Sequence, residues 1–224
     1  LLAGAAAVVE SDWRQFLTMA AIYMYYMQTK SINIMMPYCS KLPKFAEWFC
    51  QLWSESPGKI KDGANFGTTA VAAYGAVDQH SQLQLYLDGP ADKFITFIGV
   101  TSHELEMPIT ATIHKNYDYL TGKKLCELLN AELKATEAAL AAKQRPSIRI
   151  DIPNLTESTL GELFMLYQHI VAIIGLANDI NPFDQPAVED GKQYVYGLME
   201  KAGCEEKKKQ FDEIYVKSAE FIIE

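Results

Sequence analysis

Apolar positions along the chain follow two alternating rhythms. From Asp12 to Gln28, the residues Trp13, Phe16, Leu17, Ala20, Met24 and Met27 recur at three- and four-residue spacing behind Ser11 or Asp12, which predicts an amphipathic helix with a polar N-cap. Its Tyr23, Tyr25, Tyr26 and methionines suit core or subunit packing better than a cofactor pocket, because such side chains at this period usually pack. The short β-branched stretch Ser31 to Met36 then predicts a strand, and Leu42 to Ser54 a second helix. The pattern repeats with a buried-strand run at Phe94 to Val100, a long Ala/Leu/Glu/Lys helix from Gly122 to Lys143, and a strand at Ser147 to Ile152. Helical spacing returns at Leu160, Leu163, Phe164, Tyr167, Val171 and Ile174, and the proline-containing break Asn181 to Pro186 precedes two shorter helices.

Continuous apolar strands separated by helices of more than about ten residues imply parallel pairing with helices on both faces. The expected class is therefore α/β, a three-layer domain with a mostly parallel sheet over residues 1–180. Residues 181–224 form a C-terminal helical extension. In open parallel sheets, ligands usually sit beyond the carboxyl ends of the strands, so the loops that follow strands are the first places to look for chemistry.

Composition narrows the partners. An apolar fraction of 49% against 21% charged residues excludes disorder as the main state. At this length folding buries about 70% of the extended chain's surface, so neither disulfides nor a structural metal is needed. The net charge of -8 and the presence of only Arg14, Arg145 and Arg149 among arginines argue against nucleic acid as a partner. Cys39, Cys50, Cys126 and Cys204 lie far apart, with no C-x-x-C pair, and read as reduced thiols of a cytoplasmic protein rather than a zinc or redox site. The run Leu1 to Val9 lacks the basic flank of a signal peptide and reads as a helix cut from a longer chain. Lys30 and Lys41 interrupt the richest apolar stretch, so no membrane span is expected.

Three residues sit awkwardly for structure alone. Glu55 falls at the end of the Leu42 to Ser54 helix, where Pro57 forbids continuation and Gly58 can take a left-handed turn. A carboxylate at the negative helix pole has its charged form disfavoured, which suits a general base; the alternative is a solvated glutamate. His80 follows Asp78, a plausible N-cap for the segment Gln79 to Leu87, and would then occupy the first helical turn, where the positive pole favours a neutral imidazole. Leu83, Leu85 and Leu87 also alternate like a strand, and a merely hydrogen-bonded histidine is the bland alternative. His103, His114 and His169 have no comparable context. Lys192 shares a helical row with Val188, Val195 and Met199, so it either snorkels out or is buried for a purpose, and Gly191 beside it allows close approach. The Lys207 to Lys209 run, surrounded by Glu205, Glu206, Asp212 and Glu213, reads as a solvated helix face.

Taken in order, the segments Glu55-Ser-Pro-Gly-Lys59, Gly75-Ala-Val-Asp-Gln-His-Ser-Gln-Leu-Gln84, Asp88-Gly-Pro90, Leu160-Gly-Glu-Leu-Phe164 and Asn181-Pro-Phe-Asp-Gln-Pro-Ala-Val-Glu189, leading to Gly191-Lys192, resemble the glucose-6-phosphate isomerase (phosphoglucose isomerase) family. The resemblance implies a sugar-isomerase domain and the glycolytic and gluconeogenic interconversion of glucose 6-phosphate and fructose 6-phosphate through a cis-enediol, without metal or organic cofactor. It aligns Glu55 with the base that moves a proton between C1 and C2, and His80 and Lys192 with the residues that assist ring opening. Gln185 aligns with a substrate-contacting glutamine. It also implies a homodimer in which His80 reaches the opposite subunit's site. In the family, the serine/threonine-rich phosphate cradle and a Gly-Gly-Arg segment lie in an earlier domain, upstream of the point that matches Leu1. The resemblance therefore covers the later sugar-isomerase domain and the C-terminal helices, and the 224-residue chain alone is expected to be nearly inert. A regulatory module that binds sugar phosphates shares the same domain type, and a fused enzyme with an unrelated upstream domain is a further possibility. The joint presence of Glu55, His80 and Lys192 favours catalysis, because a sensor has no use for a proton-transfer set.

Overall fold

The structure, a computed structural model, describes residues 1–216. Its elements are α1 (Leu2–Val9), α2 (Arg14–Met27), β1 (Ile32–Pro37), α3 (Pro43–Glu55), β2 (Lys59–Lys61), β3 (Ala64–Phe66), β4 (Thr69–Ala72), α4 (Leu83–Asp88), β5 (Lys93–Val100), α5 (Leu125–Ala142), β6 (Ser147–Ile152), α6 (Glu157–Ala177), α7 (Pro186–Leu198) and α8 (Glu205–Ile214). They form two compact units, Leu1–Pro182 and Phe183–Glu224.

In the first unit the strands lie in the order β4-β1-β5-β6, every neighbouring pair parallel. All of β5 is buried and so is nearly all of β1, whereas the edge strands β4 and β6 are partly exposed. The period of two along a strand sends alternate side chains into two layers. Met35, Phe94 and Ile98 meet Tyr23, Phe49, Trp53 and Tyr167 from α2, α3 and α6. Ile34, Met36, Ile95 and Phe97 meet Tyr86, Leu133 and Leu140 from α4 and α5. This is the expected three-layer α/β arrangement, a mostly parallel sheet flanked by helices.

Several local expectations need correction. In α2 the buried residues are Phe16, Ala20 and Tyr23, while Trp13 and Leu17 are exposed, so the inward stripe lies one step round the helix. No side chain caps α2; Asp12 Oδ1 accepts the Arg14 N–H at 3.0 Å, and Ser11 Oγ donates to the Val8 carbonyl at 2.8 Å. The long α5 helix starts at Leu125 rather than Gly122, which has φ +84 and belongs to the preceding turn. The β2–β3 hairpin turns on Asp62-Gly63, both at positive φ as a two-residue loop of the mirror-image type requires.

The helix α6 is long and apolar enough to cross a membrane by composition alone. Its Leu163, Tyr167, Ile170, Val171 and Ile174 are instead buried in the core, which accounts for its hydropathy. At its first turns α1 approaches closely: a Cβ on Gly161 would lie 2.1 Å from the Leu1 carbonyl oxygen, so only glycine lets the two helices meet there.

Two phenols anchor α2 and α6 to the sheet. Tyr23 Oη lies 2.7 Å from Thr96 Oγ1 and 3.2 Å from Tyr167 Oη, all buried. Burial pushes the Tyr23 phenol up to about 12 and Tyr167 well above its ordinary value. Because these folded-state values lie above those of the unfolded chain, stability is level below pH ~10 and falls as pH rises beyond it, when only the unfolded chain ionises. Urea titrations from pH 8 to 11.5 are expected to show stability holding until about pH 10 and then dropping, with Tyr23→Phe flattening the drop by roughly 2 kcal/mol at the alkaline end.

Candidate active site

Parallel β1 and β4 are joined by a crossover that runs the height of the sheet. Helix α3 starts beyond the carboxyl end of β1 and returns antiparallel to it, so its last residue, Glu55, lies at the amino edge. Its buried face carries Phe45, Ala46, Phe49 and Trp53, at helical spacing, and Pro43 starts the helix. Half-buried Glu55 accepts a 3.3 Å hydrogen bond from Gln51 Nε2, one turn back. Lys59 Nζ donates to the Glu55 carbonyl at 2.5 Å and to the Ser56 carbonyl at 2.9 Å. An ammonium on the last carbonyls satisfies groups that a helix end leaves orphaned and offsets the negative pole beside the carboxylate. Sequence reasoning missed this role of Lys59, although a lysine just past a helix end is itself a stop signal. Gly58 does not take a left-handed turn; it is glycine because a Cβ would lie 2.3 Å from the Ser54 carbonyl oxygen.

His80 is not in the first turn of a helix. A 3₁₀ turn, Val77–Gln79, follows β4, and His80 closes it with φ -91 and ψ -10; α4 begins only at Leu83. Asp78 caps this loop instead of a helix, its carboxylate accepting the Tyr74 N–H at 2.7 Å and the Ser81 hydroxyl at 2.5 Å. Desolvation raises the Asp78 pKa, but the bonds from Ser81, Tyr74 and Gln82 outweigh it and hold the carboxyl below its usual range. Gln79 Nε2 donates to Tyr38 Oη at 2.6 Å and to Thr136 Oγ1 at 2.7 Å, pinning the turn to the carboxyl edge of the sheet. His80 itself is exposed.

Within one copy the structure therefore separates the two residues. Glu55 is at the amino edge and His80 beyond the carboxyl edge, roughly 20 Å apart given the length of α3. The preference for loops at the carboxyl ends of strands finds His80 and misses Glu55.

The remaining two candidates belong to the second unit. Gln185 is the N-cap of α7, and Lys192 lies seven residues on, so both occupy one face about 10 Å apart. Lys192 Nζ pairs with Glu189 Oε1 at 2.5 Å, and its side chain is 56% exposed. Hydrogen bonding to Glu189, together with its charge, raises the lysine's pKa and keeps it an ammonium at neutral pH. Val188, Val195 and Met199 on the same row are exposed as well, so the row is an apolar surface face and not a core stripe. Within this unit α7 packs on α8, where a Cβ on Gly197 would lie 2.6 Å from the Lys208 nitrogen. Among the described residues no cluster of three or more His, Cys, Asp or Glu could hold a metal.

The phosphoglucose isomerase family model matches residues 5–216. The chain belongs to the phosphoglucose isomerase family. It is 37% identical to a glucose-6-phosphate isomerase of Carboxydothermus hydrogenoformans, covering 100% of this chain and 51% of that one. It is 39% identical to a glucose-6-phosphate isomerase of Rubrobacter xylanophilus, covering 91% and 48%. A crystal structure of a glucose-6-phosphate isomerase from Chlamydia trachomatis superposes with a TM-score of 0.76 at 23% identity over 95% of this chain and 45% of that one, a likeness of fold. The chain spans about half the length of the curated relatives it matches.

The Asp78 loop yields a prediction for this family member. A depressed carboxyl pKa contributes stability above the unfolded value, near 3.8, that is lost as pH falls through the lower folded value. Asp78→Asn is expected to cost about 1–2 kcal/mol near neutrality, and the difference from the parent should close as melts are taken below pH 4.

Proposed function

We propose that this chain forms the C-terminal part of a cytoplasmic enzyme that interconverts glucose 6-phosphate and fructose 6-phosphate. Glu55 takes the C2 proton of the open-chain aldose, leaves a cis-enediol, and returns a proton to C1. His80 and Lys192 handle the ring oxygen. Imidazole suits proton exchange near neutral pH, and an ammonium that stays charged beside Glu189 offers the ring oxygen a positive charge and a hydrogen-bond donor. Gln185, on the Lys192 face of α7, contacts the sugar phosphate. Only protons move, so the chemistry calls for neither a metal nor an organic cofactor.

The observation that carries this reading is the placement of Glu55 and His80 at opposite edges of one sheet. A carboxylate and an imidazole that must meet one hexose are then supplied by two copies, which supports a homodimer with His80 contributed across the interface. The segment 102–124, which leaves the same edge as His80, adds apolar surface consistent with a partner: Leu105 is 74% exposed, Ile113 108% and Tyr119 69%. The domain division that goes with this reading places the sugar-isomerase domain at 1–180 and the extension bearing Gln185 and Lys192 at 181–224. Under the same reading the 224-residue chain by itself turns over hexose phosphate poorly, because it spans about half the length of the curated relatives it matches.

In a coupled assay of the complete enzyme, Glu55→Gln is expected to lower kcat by about 10²–10⁴ while fructose 6-phosphate still binds. Retained turnover with retained binding would support a sugar-phosphate sensor instead. Mixing inactive Glu55→Gln and His80→Gln enzymes through reversible dissociation should restore about a quarter of parental activity, since hybrids carry one site with both groups intact. No recovery on mixing would rule out the shared site.

A further inference from the structure

A polar side chain without a partner lies beneath the last turns of α2, beside Thr68. Asn33, the second residue of β1, is 3% exposed, and neither Oδ1 nor Nδ2 finds a hydrogen-bond partner among the described residues. Leaving a buried polar group unpaired costs about 1–3 kcal/mol, so such groups are ordinarily satisfied. By strand alternation Asn33 faces the same layer as Met35, the layer of α2, α3 and α6. There it lines a cavity of about 10 Å³ together with Tyr23, Tyr26, Lys30, Thr68 and Phe94. Met27 and Ile32 complete a lining that is mostly apolar, and the space is at the lower limit of size for one water.

The polar groups around it are not equally available. Lys30 Nζ donates to the Ala91 carbonyl at 2.6 Å, and Tyr23 Oη is engaged with Thr96 and Tyr167. Thr68 Oγ1 accepts the Trp53 indole N–H at 2.9 Å and keeps its own proton to donate. Trp53 is fully buried in the last turns of α3, two residues before Glu55.

We propose that the cavity binds one ordered water, which accepts the Thr68 hydroxyl proton and meets the Asn33 amide. Asn33 is thereby a positioning residue: through the water, Thr68 and Trp53 it holds the turn of α3 that presents Glu55. The catalytic consequence rests on the proposed role of Glu55; the water site does not.

A high-resolution crystal structure should show a water within hydrogen-bond distance of both Asn33 and Thr68. Asn33→Leu, which fills the space with apolar atoms, should shift the Trp53 indole resonance in ¹H–¹⁵N spectra and leave those of Trp13 and Trp48 in place. In the complete enzyme it should lower kcat about threefold to tenfold with KM for fructose 6-phosphate unchanged. Thr68→Val should do the same, and the double variant should be no worse than either single one, because both act through one water. Thr68→Val also carries the test if Asn33→Leu fails to fold. Asn33 bonded directly to protein, an unmoved indole, or kcat losses that multiply would each overturn the proposal. A fully active Glu55→Gln would overturn the role of Glu55 while leaving the water and the indole shift standing.

Discussion

Parallel pairing of β1 with β4 obliges the chain between them to travel the full height of the sheet, and most of the geometry described here follows from that obligation. The helix that makes the journey must begin at the carboxyl edge and end at the amino edge. Its length then sets the distance between whatever stands at its end and whatever follows β4. Glu55 and His80 occupy those two places. A single copy cannot bring them to one substrate, and association becomes part of the proposed chemistry, in the way that shared sites make some oligomers obligatory.

The end of α3 is held from more than one direction. Trp53 is buried and hydrogen-bonded to Thr68, just ahead of β4, and Lys59 reaches back to the final carbonyls. Helix ends fray when their last carbonyls are left to water, and a carboxylate there is poorly placed for stability. The surrounding contacts offset that cost and give the glutamate a fixed frame. His80, by contrast, is exposed, but its loop is tied by Asp78 and Gln79 to the sheet edge and to α5. Such an arrangement keeps the backbone in place while leaving the ring free to reach outward.

Much of this was legible in the residues. The long buried runs, the helical periods and the proline breaks predict the parallel three-layer class, because apolar patterning repeats the physical period of each element. What escaped was short or weak. The edge strand β4 is Thr69-Ala-Val-Ala72, too short and alanine-rich to stand out as a strand. The β2–β3 hairpin carried a readable signal, Asp62-Gly63, one of the strongest short turn markers. The reading of His80 as helical failed because Asp78 found its donors in a tight loop, and a local cap motif looks the same in either setting.

Residue types, their order and their periods determine by themselves the α/β class, the family and the candidate proton-transfer groups, since all of these depend on local chemistry and spacing. Only the tertiary structure decided that Glu55 and His80 stand at opposite edges of the sheet, that the Lys192 row is surface rather than core, and that Asn33 is buried beside a small cavity. Each of those depends on which strands pair and which faces are covered, contacts between residues far apart in the chain that no local pattern records.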